Sequence, residues 1–283
     1  MTRRSILNEI SCDGVALHAG SNVHVTLLPA VSGQGIVFRR DDLAGRKISA
    51  RYDRVTETRL GTVIADGEAS VAVIEHLMAA ICGAGIEDMT IALDGPELPI
   101  LDGDALSWLN SLDGAGIREQ AGTREVIRIL RRVDVSRGDA RASLMPFDTT
   151  IFDFEIAFDT QAIGSQHFEW RLTPDAFRRD IAPARTFGFL HELESLRAAG
   201  LARGASRENT LAIAGDGLEN PELQRFPDEF VRHKILDAVG DMALAGAPII
   251  GRFEGRKSGH ALNNALLRAV FADPANYERI DLA

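Results

Sequence analysis

Residues 228–245 carry the pattern that most restricts how this chain can fold. Phe230, Val231, Ile235, Leu236, Val239, Met242 and Leu244 spread around a helix that begins at Asp228, after Pro227, and stops at Gly246. Asp228 is placed to cap its first turn and Gly246 to end it. A helix that is apolar on nearly every side must lie between layers of structure. Yet this helix also carries His233, Asp237 and Asp241, which at successive four-residue steps share one stripe. Ionisable side chains in such a stripe are costly to bury without a partner. A divalent metal suits a His/Asp pair at this spacing. An ordinary helix with an i,i+4 hydrogen bond satisfies it equally.

The rest of the chain is that of a globular protein. It has 283 residues, 45% hydrophobic and 25% charged, enough for one large or two medium domains. A formal net charge of -10 argues against a broad nucleic-acid surface. The two cysteines, Cys12 and Cys82, each sit in an apolar stretch, which suggests a reducing compartment rather than a disulfide framework. The basic start, Met1 to Glu9, lacks an apolar signal core, and no apolar run reaches membrane-spanning length. The expectation is a soluble, cytoplasmic protein.

The element order reads twice as strands followed by helices. Strands are expected within 5–40, a helix from Val71 to Cys82 ended by Gly83, a strand at Met89–Leu93, and a helix from Asp104 to Asp113. The charged stretch Arg118 to Arg124 reads as a connector and sets a domain boundary, giving units 1–122 and 123–283. Strands then cover roughly 126–170, helices begin near Pro174 and Pro227, and a last helix runs from Ala261 to Val270. Two α+β halves of similar order suggest an internal structural duplication.

Other ionisable residues stand out against apolar surroundings. Glu75 and His76 interrupt the apolar run Val71 to Ala80. They read either as a metal ligand with a base beside it, or as a dipole-favouring Glu next to a hydrogen-bonded core His. His260 follows Gly259 at a helix start, where it suits proton transfer or simply caps polar surface. Thr186 offers a hydroxyl in Ala184-Arg185-Thr186-Phe187-Gly188-Phe189, a segment that alone reads as loop packing. Taken together the four segments describe amide hydrolysis. Two His and one Asp hold a metal and leave a position for water, Glu75 takes a proton, His260 protonates a leaving amine and Thr186 bonds a developing oxyanion. His18 has no assigned role; His24, His167 and His191 read as structural or solvated.

At these residues the chain resembles the zinc-dependent UDP-3-O-acyl-N-acetylglucosamine deacetylases of lipid A biosynthesis. The resemblance runs in order through Gly14-Val15-Ala16-Leu17-His18-Ala19-Gly20, Phe38 to Asp41, Glu75 to Ala80, Asp94 to Gly103, Ala184 to Phe189, Asp228 to Asp241 and Lys257 to Asn264. It implies an α+β fold of two similar domains, each a mainly antiparallel sheet layered on helices, with the active site between the helical layers. It implies zinc, with iron(II) admissible, on His76, His233 and Asp237. Glu75 is implied as general base, His260 as general acid, Asp241 as the residue orienting it, and Thr186 as oxyanion donor. Lys234, Lys257, Phe158 and Phe187 are implied on the substrate side. A βαβ insert near 189–213 is implied to form an acyl-chain passage. The implied substrate is an acylated, nucleotide-linked amino sugar, and the implied state is a monomer.

Two stretches depart from the family pattern. Where the family reads Asp-Phe-x-His-Pro, this chain has Ala157-Phe158-Asp159-Thr160-Gln161, which predicts weaker discrimination for uridine. In the passage it has Leu201-Ala202-Arg203-Gly204-Ala205-Ser206. An Arg203 pointing inward there predicts a preference for a shorter or anionic group. The alternatives are therefore a related deacetylase of another N-acyl amino sugar or amide, and an inactive member with a binding role.

Overall fold

Alternation builds the first sheet. Along Asn22–Pro29, Val23, Val25 and Leu27 point into the core while Asn22 and His24 face solvent, the two-residue period of a half-buried strand. The structure, a computed structural model, describes residues 1–282. This strand lies between Ile10–Val15 and Met89–Leu93, followed by Ile36–Arg40 and Arg46–Ser49. Pairing is antiparallel except where Ile36–Arg40 runs parallel to Met89–Leu93. Helices α1 (Glu75–Ala84) and α2 (Leu106–Ala115) pack on each other beside this sheet.

The second layer system is larger. Ile249–Arg256 is its central strand, antiparallel to Ala140–Met145 on one side and parallel to Thr150–Ala157 on the other. Ser165–Arg171 and Val133–Arg137 extend it outward. A short three-strand unit follows, in which Phe187–Phe189 and Leu211–Ala214 run parallel, joined through helix α3 (Leu190–Ala198). That is the βαβ insert. Helices α4 (Glu229–Ala243) and α5 (His260–Ala272) pack on the large sheet, and α4 also lies along α1. The protein is thus α+β, two sheet-and-helix systems meeting helix to helix. Among the described residues no helix is long and apolar enough to cross a membrane.

Several boundaries differ from the sequence reading. Helix α1 begins at Glu75, because Ala69–Val71 is a strand of a small separate sheet; a short apolar run does not by itself distinguish strand from helix. It ends at Ala84, with Gly85 in the left-handed conformation, so Gly83 is interior. Helix α2 begins at Leu106 rather than Asp104, whose carboxylate accepts from the Ser107 amide at 3.0 Å. Asp228 precedes α4 but does not cap it; its carboxylate accepts from Arg232 Nε at 2.6 Å. The charged stretch Arg118 to Arg124 is no loop. It is the first part of a 13-residue strand, Ile117–Ile129, whose one face is solvated. That strand pairs with Thr2–Ile6 through its first half and with Tyr277–Leu282 through its second.

Candidate active site

Helices α1 and α4 touch backbone to side. A Cβ on Gly240 would stand 2.1 Å from the Glu75 carbonyl oxygen, so only glycine lets α4 approach the first turn of α1 so closely. The contact brings Glu75 and His76 against the His233–Asp237–Asp241 stripe. Helix α5 adds His260, its first residue. Glu75, His76, His233, Asp237 and Asp241 are all buried. The ionisable stripe therefore finds its partners across a helix–helix seam.

His76, His233 and Asp237 could hold a metal ion, since one ligand atom from each lies within 4.8 Å of the others. His76 Nε2 is 3.8 Å and His233 Nε2 3.5 Å from Asp237 Oδ1. Those separations are long for hydrogen bonds. They suit two ligands of one tetrahedral ion, which bond lengths of about 2.0–2.1 Å place roughly 3.4 Å apart. His233 Nδ1 donates to the Ala184 carbonyl at 3.1 Å, which turns its Nε2 lone pair toward the gap. Burial pushes His233 down to about 3 and holds His76 below its ordinary range. Burial alone would raise Asp237, but Lys234 and the three histidines outweigh it and keep the carboxyl well below the usual carboxylate range. Two neutral imidazoles and a carboxylate are the protonation states that ligands need. The donor set fits a divalent ion. Lys234 Nζ sits 2.7 Å from Asp237 Oδ2.

Beside this set stand two groups in complementary states. Burial, only partly offset by the charge of His260, pushes Glu75 up to about 7. Burial opposes the charge of His260, yet Asp241, Asp237 and Glu75 together carry it up to about 10. At neutral pH Glu75 can accept a proton and His260 holds one to give, which is how acid and base are separated in one pocket. Glu75 Oε1 is 3.9 Å from His260 Nε2, and His260 Nδ1 donates to Asp241 Oδ2 at 2.8 Å. Two buried neighbours went unread in the sequence. Thr62 Oγ1 donates to Asp241 Oδ1 at 2.6 Å, its amide donates to Glu75 Oε2 at 3.0 Å, and Asn263 Nδ2 donates to Asp241 Oδ2 at 2.8 Å. Thr62 follows a turn with no distinctive pattern. Asn263 stood inside a noted motif and could have been found there.

A cavity of about 650 Å³ lies against the insert, lined by Leu17, Leu60, Phe189, Leu193 and Leu196 among others. Thr186, Phe187 and Ala205 are on its wall. His18 also lines it, with Nε2 2.9 Å from the Leu60 carbonyl and the Ala202 amide 3.4 Å from Nδ1. Arg203 does not point inward. It is exposed and lies outside the lining, with its Cβ where a side chain on Gly20 would be. Arg197 and Arg207 reach the wall instead, and Arg207 is paired with Glu219 at 3.0 Å. A shallower depression of about 470 Å³ holds Phe158, Asp159, Thr160 and His191. There Thr160 Oγ1 donates to the Gly215 carbonyl at 2.6 Å, and the Gln161 amide donates to Asp216 at 3.1 Å. Phe158 packs on Phe187 and Phe189. Lys234 Nζ is 5.5 Å from the Phe187 ring centre. Lys257 stands apart, ion-paired with Asp139 at 2.6 Å. His24 and His167 pair with Asp13 and Asp153, and His191 is exposed.

The family described as UDP-3-O-acyl N-acetylglycosamine deacetylase matches residues 3–272. A UDP-3-O-acyl-N-acetylglucosamine deacetylase of Phenylobacterium zucineum is 50% identical over 264 residues, covering 92% of this chain and 90% of the relative. Relatives of the same description from an Anaeromyxobacter species and from Neisseria meningitidis are 43% and 42% identical over 280 and 289 residues. They cover 99% and 100% of this chain, and 92% and 94% of the relatives.

Proposed function

The chain belongs to the UDP-3-O-acyl N-acetylglycosamine deacetylase family, and from that premise we propose that it hydrolyses the N-acetyl amide of UDP-3-O-acyl-N-acetylglucosamine, releasing acetate, as a zinc enzyme of lipid A biosynthesis. The observation that carries this reading is the base–acid pair, Glu75 and His260, 3.9 Å apart beside three buried ligand residues.

Zinc on His76, His233 and Asp237, or iron(II) in its place, would supply Lewis acidity to the attacking water and the amide carbonyl. Glu75 accepts a proton from that water through Oε1. His260 gives its Nε2 proton to the departing amine, while Asp241 holds the Nδ1 proton and fixes the ring. Thr186 donates its hydroxyl to the oxygen on which charge develops. Lys234, bonded to Asp237 and facing the Phe187 ring, lends positive charge to the substrate side. The apolar cavity receives the acyl chain, and Phe158 offers its face to the nucleobase. Lys257, once released from Asp139, is available to phosphate. We further read the protein as a cytoplasmic monomer.

One observation favours a second reading, deacetylation of a different N-acyl amino sugar. Thr160 and Gln161 are tied to the 215–216 turn rather than open to a nucleotide. Turnover of the UDP-linked substrate should be compared with that of the same acylated sugar lacking UDP. A large preference for the nucleotide supports the first reading, equal kcat/KM supports the second, and failure with both, zinc present, overturns both.

A further inference from the structure

Asp241 and Glu75 come from different helices, yet one residue holds both. Thr62 is 2% exposed and bonds Asp241 through its hydroxyl and Glu75 through its amide, at 2.6 and 3.0 Å. Its carbonyl accepts from the Ile74 amide at 3.4 Å, at the base of α1. Each bond fixes a different degree of freedom. The amide bond takes up Glu75 Oε2, leaving Oε1 directed at His260. The hydroxyl takes up Asp241 Oδ1, leaving Oδ2 for His260 Nδ1 and Asn263 Nδ2. A carboxylate held at both oxygens cannot swing, so the imidazole it orients cannot either.

The turn before Thr62 is shaped for this. Gly61 has φ +140, and a Cβ there would stand 2.9 Å from Glu75 Oε1. Val73, buried just before α1, has φ +59. A β-branched residue in that region is strained and persists where surroundings over-determine it. Here Thr62 supplies part of that determination through Ile74.

We propose that Thr62 is a positioning residue for proton transfer, a brace between the two halves that sets the distance and angle between Glu75 and His260. This rests on the roles read for those two residues. Thr62→Val keeps the amide and the shape but removes the hydroxyl; Thr62→Ser keeps the hydroxyl. The expected result is a kcat about tenfold or more below the parent for Thr62→Val, with KM and metal content unchanged, and a kcat within about threefold of the parent for Thr62→Ser. In a His260→Ala background, Thr62→Val should cause no further loss, because the residue acts through the imidazole. In the metal-free protein, the downfield proton resonance of the His260 Nδ1–H, identified by its absence in His260→Ala, should shift in Thr62→Val and return in Thr62→Ser. Where Thr62→Val does not fold, Thr62→Ala carries the same measurements.

Parental kcat in Thr62→Val, or an unmoved imidazole resonance, would overturn the brace. So would a loss that persists in full without His260. Failure of the underlying reading shows separately, as full activity in His260→Ala. The imidazole resonance tests the brace without substrate.

Discussion

The helix seam and the substrate mouth are built on opposite plans. At the seam, side chains on rigid helices are buried and each charged group faces a partner: Asp237 has Lys234 and two imidazoles, Asp241 has Thr62, His260 and Asn263. At the mouth, Leu60 and Leu190 are 38% and 37% exposed, and Arg207 on the wall is paired with the surface carboxylate Glu219. A buried network tolerates no missing member, because each leaves an unsatisfied neighbour. An exposed rim tolerates many changes, since surface ion pairs contribute little. On the function proposed above, chemistry is fixed where the protein is least adaptable, and selectivity sits where it is most adaptable.

That contrast can be broken at several points, the deepest first. His233→Ala should lose the bound metal and fall to background turnover, as should the parent after chelation; metal analysis showing full occupancy in His233→Ala would remove His233 from the ligand set. Glu75→Ala should keep metal and fold but lose about 10²–10⁴ in kcat, and His260→Ala should act likewise. Their pH profiles should differ in sign. Glu75 must be ionised to act, so the parental rate rises as pH passes about 7. His260 must be protonated, so it falls as pH passes about 10. Residual activity in Glu75→Ala should lack the acid limb and in His260→Ala the alkaline limb; retention of both limbs in both variants contradicts the assignment.

The mouth should respond more weakly and mainly in KM. Leu196→Glu places an unpaired carboxylate on the cavity wall, at on the order of 1–3 kcal/mol, and should raise KM for a long-acyl substrate about tenfold with kcat nearly unchanged. A matching kcat loss would join the cavity to the seam after all. The smallest effect is expected for Arg203→Leu, within about twofold of the parent on the same substrate, because its side chain lies off the wall. A large gain there would restore Arg203 to the passage.

What the sequence made legible follows the same division. The stripe His233, Asp237, Asp241 and the pair Glu75, His76 were readable because polar residues inside apolar helices demand partners, and a helical period says which face they share. Their convergence, however, depends on Gly240, whose meaning is a contact between distant helices that no local pattern encodes. Thr62 was invisible for the same reason: its partners are 13 and 179 residues away. Arg203 was misplaced because spacing gives no side-chain direction in a loop, where neither helical nor strand geometry sets one. The strand Ile117–Ile129 was hidden by its charged, solvated face, which imitates a connector.

Gly240 also bears on motion. With the two backbones in close contact at Glu75, α1 and α4 are expected to stay together, and local loosening is expected instead in the insert, where α3 has no fully buried residue. Amide hydrogen exchange would record this as two clocks in one molecule: seam helices exchanging only with global unfolding, and α3 exchanging orders of magnitude sooner.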